Sequence, residues 1–226
     1  MTVNSRPELL EQTLVSLTTA GFESVRVFSD GLPFAGTRFH DELSVHEPKL
    51  RAFGNWMLGM WELYIREPDA DLYAMFQDDI VACKGLRGYL ERCEYPRGSY
   101  WNLFTFKFED EAGRRQQCLP PSPGYRGWYA SNQRGRGAVA LVFDRDVLLR
   151  ILTHPAVFKR PQDARRRHRN IDGAVSEAAV ALGITEFIHA PSLVQHVGNA
   201  STMGHHYPPS DSFAGEGFDA MDLLTT

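Results

Sequence analysis

Hydrophobic positions along this chain switch between helical and extended spacing, and their order predicts an α/β protein. Leu10, Leu14 and Leu17 recur one helical turn apart after Ser5-Arg6-Pro7-Glu8, and Gly21 supplies a stop. Ser5 and Glu8 have capping-box spacing, and Pro7 suits a first helical turn. Val25 to Phe28 reads as a strand ending in Ser29-Asp30-Gly31. With Thr2-Val3 as a short first strand, this predicts a β-α-β unit with parallel strands and a right-handed crossover.

A second helix is predicted from about Lys49 to Tyr64, with Phe53, Met57, Met60, Trp61 and Tyr64 on one packed face. Leu72 to Phe76 is an uninterrupted apolar run between Pro68/Asp71 and the acid pair Asp78-Asp79. It reads as a central strand buried on both faces. Tyr100–Phe106 and Gly137–Phe143 read as further strands. A helix follows from Asp144, its candidate cap, to Leu152. Ile171, Val175, Ala178, Ala179 and Leu182 trace a last helix closed by Gly183, and Phe187–Ala190 a final strand. Beyond Gly198 the periodicity stops, so one domain is expected over 1–198, with 199–226 a C-terminal lid or tail.

Composition narrows the classes. The chain has 226 residues, enough for one sizeable core, and its 43% apolar and 23% charged content is that of a water-soluble globular domain. A net charge of −4 argues against binding dominated by nucleic-acid phosphates. No apolar run approaches the roughly 18–20 residues that span a bilayer, and the N-terminus has no signal-peptide pattern. Cys83, Cys93 and Cys118 show no metal-site spacing, so reduced thiols and a cytoplasmic location are expected.

The chemistry concentrates in Phe76-Gln77-Asp78-Asp79-Ile80. Two acids at the carboxyl end of a strand stand where open α/β sheets bind ligands. Burying both without a partner is costly, which points to a hard divalent cation and, through it, to phosphate oxygens. A solvated turn is the plain alternative for any Asp-Asp pair.

Six segments in order carry a family resemblance: Ser5–Phe22, Val27–Gly31, Phe76–Ile80, Gly135–Phe143, Asn170–Gly173 and Pro191–Gly198. Together they resemble the GT-A glycosyltransferases (family 2-like), nucleotide-sugar-dependent enzymes with a carboxylate Asp-x-Asp or related metal motif. The resemblance implies a single Rossmann-like domain, a mostly parallel sheet flanked by helices, a Mn²⁺ or Mg²⁺ ion and a nucleotide-sugar donor, with UDP-sugar the leading choice. It implies Asp79 as a direct metal ligand, Asp78 on the ribose or a metal-bound water, and His196 as a further ligand. Gln77-Asp78-Asp79 stands where many relatives carry Asp-x-Asp, which leaves the division between the two acids open.

By the same resemblance Asp30 serves the base or ribose, Arg6 the phosphates and Asn55 the nucleotide. Asp172 is the expected catalytic base of an inverting transfer, with Glu177 in reserve. Each has a plain alternative: a turn for Asp30, an exposed helix start for Arg6, a polar surface for Asn55 and a helix cap for Asp172. Trp128 and Tyr129 are candidates to stack on a sugar. The run from Lys159 to Arg169 is a candidate phosphate-neutralising surface or a solvated loop, and His205 and His206 are expected to face solvent. Acceptor identity is open among glycans, small molecules and modified nucleic-acid bases. Competing classes are a nucleotidyltransferase, against which the lack of a phosphate-binding Gly/Lys signature counts, and an inactive sugar- or nucleotide-binding module.

Overall fold

The computed structural model describes residues 6–31, 43–105, 119–133, 137–159, 170–198 and 209–225. The predicted strand at Thr2-Val3, the Ser5 cap, Cys118, Gly135, most of the basic run, His205 and His206 lie outside them.

The elements, in order, are α1 (Pro7–Thr19), β1 (Val27–Asp30), β2 (Leu43–His46), α2 (Arg51–Arg66), β3 (Leu72–Phe76), β4 (Ile80–Ala82) and α3 (Leu86–Arg92). There follow β5 (Tyr100–Asn102), β6 (Gly127–Ala130), β7 (Ala140–Asp144), α4 (Arg145–Thr153), α5 (Pro155–Phe158), α6 (Ile171–Leu182), β8 (Glu186–Ala190), β9 (Val194–His196) and a 3₁₀ helix (Ala220–Thr225). α4 starts where its cap predicts, since Asp144 accepts a hydrogen bond from the Val147 amide at 2.8 Å. α6 ends on Gly183, whose φ of 68° is the left-handed conformation that terminates a helix.

The sheet overturns one expectation. β3-β7-β5-β8-β6 form a five-stranded mixed sheet in which only β5 and β8 pair in parallel, the other three pairings being antiparallel. A mostly parallel sheet was the expectation, but an apolar run such as Ala140–Phe143 reports burial on two faces and carries no direction. The Leu72–Phe76 strand is likewise an edge of this sheet, not its centre. Tyr73 and Met75 are buried while Leu72, Ala74 and Phe76 are half-buried. β1 and β2 pair in parallel as a separate ribbon. Between Val25–Phe28 and Ala74–Asp78 lies a mostly apolar cavity of about 120 Å³, also lined by Leu10 and Leu14 of α1 and Leu63 of α2.

Helices cover both sheet faces. Tyr100, Leu141 and Phe143 point into a core shared with Trp56, Met60, Leu148 and Val175 from α2, α4 and α6. Their strand neighbours Trp101, Ala140 and Val142 point into the opposite core, with Leu86 and Leu90 of α3 and Ala220 of the C-terminal 3₁₀ helix. This period-two division is what places apolar residues on both faces of one strand. Residues 209–225 thus run back onto the body, where Lys84 pairs with Asp219 at 3.2 Å. No helix among the described residues is long and apolar enough to cross a membrane.

The short β4 is held on both edges. Antiparallel pairing with β9 sets Ile80 opposite His196 and Ala82 opposite Val194. On its other edge α1 supplies hydroxyls in place of a strand. Thr13 Oγ1 donates to the Ile80 carbonyl at 2.9 Å and accepts from the Ile80 amide at 3.0 Å, and Ser16 Oγ accepts from the Ala82 amide at 2.9 Å. Buried backbone groups need such partners. The result fixes the start of α1, and so Arg6, beside the acid pair.

Candidate active site

Asp78 and Asp79 lie between β3 and β4 and are both buried. Arg6, at the cap position of α1, reaches across to both acids: Nη2 lies 3.2 Å from Asp78 Oδ1 and Nη1 2.8 Å from Asp79 Oδ2. The β4–β9 ladder brings His196 to the same place, with Nε2 3.1 Å from Asp79 Oδ2. Asp79 Oδ1 and Arg6 Nε are buried with no hydrogen-bond partner. Burial pushes the Asp79 carboxyl up, but the His196 hydrogen bond and the charges of His196 and Arg6 outweigh it and hold the group below the ordinary aspartate range.

Gly198 is part of the construction. The Val197 amide donates to the Asp79 carbonyl at 2.9 Å, which draws the chain after β9 over the acid. A Cβ at Gly198 would stand 2.6 Å from Asp79 Oδ2 and 3.0 Å from Arg6 Nη1, so only glycine fits without a shift.

Asp172 occupies the same end of the sheet. Gln77 binds Val139 O through its amide and Ala138 O through Nε2, each at 2.9 Å. The neighbouring Gly137 amide donates to Asp172 Oδ2 at 3.1 Å. Asp172 opens α6, as its sequence position predicts, and is buried, whereas Glu177 one turn on is exposed.

Asp30 and His46 end adjacent parallel strands and face each other in register. Asp30 is buried, with Oδ1 accepting from the Leu50 amide at 2.5 Å and Oδ2 lacking a partner. Asn55 is wholly buried, not on the surface. Its amide donates to the Phe28 carbonyl at 3.0 Å and its oxygen lies 2.6 Å from His46 Nδ1. Asn55 therefore ties α2 to the ends of β1 and β2. His46, missed in the sequence because β2 is short and its apolar pattern weak, also lies 3.5 Å from Glu62 across Nε2.

Trp128 is half-buried and packs among other rings. It stacks on Tyr89 (6.4 Å, 17° between planes) and meets His189 edge-on at 4.8 Å, while Tyr129 is buried beside Tyr125. The sequence also gave no sign of Glu186. It lies wholly within the fold, hydrogen-bonded to Ser131 and, at 3.2 Å, to Asn102. Burial, reinforced by the nearby charge of Asp172, pushes its carboxyl up to about 7. Cys83 and Cys93 are free, buried thiols, and burial pushes the Cys83 thiol up to about 12.

The donor set at Asp79 suits a divalent ion. The buried Asp79 Oδ1 has no hydrogen-bond partner and so has capacity for a further one, and imidazole beside carboxylate favours Mn²⁺ among the biologically common hard ions. Among the described residues no third His, Cys, Asp or Glu joins Asp79 and His196 at metal-binding spacing, so remaining positions fall to water or ligand oxygens. No protein-family model and no curated protein sequence matches the chain.

Proposed function

We propose that this protein is a GT-A-type glycosyltransferase that moves a sugar from a nucleoside diphosphate, UDP first among the candidates, to an acceptor hydroxyl. The observation that carries this reading is the meeting of Asp79, His196, Asp78 and Arg6 at the end of β3, with Asp79 Oδ1 buried and unpaired.

Asp79 and His196 would hold the divalent cation. When bound, that ion offsets the negative charge that develops on the departing diphosphate. Arg6 adds a second positive group at the helix start, in reach of phosphate oxygens. Asp30, whose buried Oδ2 has no hydrogen-bond partner, would accept a hydrogen bond from a base or ribose. Asn55 acts indirectly by fixing the ends of β1 and β2 around that carboxylate. Asp172 is the proposed base, taking the proton of the acceptor hydroxyl as it attacks the sugar carbon opposite the leaving diphosphate. A single base with in-line displacement gives inversion. The Gly137 amide, donating to Oδ2, orients that carboxylate.

The test is nucleotide release from UDP-, GDP-, dTDP- and CMP-sugars with Mn²⁺ or EDTA. Mn²⁺-dependent release from one donor, abolished in Asp79→Ala and reduced in Asp172→Asn, supports the reading. No release from any donor, together with no thermal stabilisation by any nucleotide, removes it.

A further inference from the structure

The acid pair already carries a positive charge of the protein's own. Arg6 Nη1 is 2.8 Å from Asp79 Oδ2, the oxygen that His196 Nε2 approaches at 3.1 Å. That hydrogen bond sets the imidazole and the carboxylate side by side, where both would hold a divalent ion if the imidazole were neutral. A cation held by Asp79 and His196 would therefore share the carboxylate that Arg6 holds. A guanidinium and a divalent ion on one carboxylate repel strongly.

From this geometry we infer that Arg6 is an exchangeable counter-ion: it competes with the divalent cation for Asp79 and, once displaced, turns to the diphosphate. The inference rests on the proposed function and specifies how that site couples its two ligands. Charge gives the reason. With His196 neutral, as a metal ligand must be, Asp78, Asp79 and Arg6 together carry one negative charge, and a divalent cation makes the cluster singly positive. A diphosphate then satisfies the released guanidinium. Arg6 is suited to the exchange because its guanidinium pairs with the two acids that a cation would neutralise. Its Nε is buried without a partner, so its present pose leaves hydrogen-bonding capacity unused. Gly198 leaves the space beside Nη1 that a side chain would fill.

Mn²⁺ binding to the full chain is measured from the electron paramagnetic resonance of free Mn²⁺, for wild type, Arg6→Gln and Arg6→Lys, each with and without UDP. Without UDP, Arg6→Gln is expected to bind Mn²⁺ on the order of tenfold more tightly than wild type, while Arg6→Lys, which keeps the charge, stays near wild type. UDP should tighten Mn²⁺ binding strongly in wild type and far less in Arg6→Gln, and Mn²⁺ should tighten UDP by the same factor. Unchanged or weaker Mn²⁺ binding in folded Arg6→Gln overturns the inference and leaves the proposed function standing. No Mn²⁺ binding by any folded variant removes both. Should Arg6→Gln not fold, Mg²⁺ titration of the wild type decides. Faster solvent exchange of the Arg6 guanidinium protons supports displacement, and unaltered exchange refutes it.

Discussion

His196 Nε2 lies 3.1 Å from Asp79 Oδ2 although 117 positions separate the two residues. The contact follows from the register of a three-residue ladder, in which Ile80 pairs with His196. If this pair holds a cation, His196→Ala should weaken Mn²⁺ binding by at least the ~10–100-fold that loss of an outer partner causes at metal sites. The fold should survive, because Arg6 still neutralises Asp79. Calorimetric titration with Mn²⁺ checks this, and wild-type affinity in the variant would remove His196 from the site.

Gly198→Ala tests the close approach over the acid. The added Cβ must displace the Asp79 carboxylate, the Arg6 guanidinium or the chain itself. Stability should fall by about 1–2 kcal/mol, as overpacking costs, with a larger proportional loss in Mn²⁺ affinity. Urea melts alongside metal titration separate the two effects. Equal metal affinity at reduced stability would show that the glycine serves packing alone.

Glu186 predicts a pH dependence. Its folded carboxyl titrates near 7, above the unfolded value, so the folded state binds the extra proton between those two values. Stability should therefore fall as pH rises from about 4.5 to 7 through this group. His189 opposes it: burial lowers its imidazole to about 4, so its neutral form contributes stability that is lost as pH falls from about 6.5 toward 4. Glu186→Gln keeps the shape and can still bond Ser131 and Asn102. It should gain up to about 3 kcal/mol at pH 8 and little at pH 5, by urea denaturation at the two pH values. The same gain at both would mean the carboxyl is not protonated in the fold.

Thr13→Val removes the hydroxyl that serves both the amide and the carbonyl of Ile80 while keeping the side chain's shape. Two buried backbone groups lose their partner, at a cost of about 1–3 kcal/mol. Because that residue follows Asp79, metal binding should weaken as well. Thr13→Ser should restore both. A neutral Thr13→Val in thermal melts would refute the role given to α1 as the second edge of β4.

What the amino-acid sequence determined by itself was the local layer. Helical spacing of Leu10, Leu14 and Leu17, the Asp144 cap and the Gly183 stop are short-range signals, and α1, α4 and α6 appear where they place them. The position of Asp78 and Asp79 just beyond a strand was equally readable, because an apolar run broken by charge marks a strand end. Tertiary structure decided the rest. Apolar runs do not encode direction or neighbours, so the edge position of β3 and the antiparallel pairing of β7 depended on where distant segments return. The short strands β2, β4 and β9 have too few residues for a period to show, yet they deliver His46 and His196. Glu186 and Asn55 became buried polar groups only through partners far along the chain. A carboxylate's environment is a sum over such neighbours, and no window of sequence contains them.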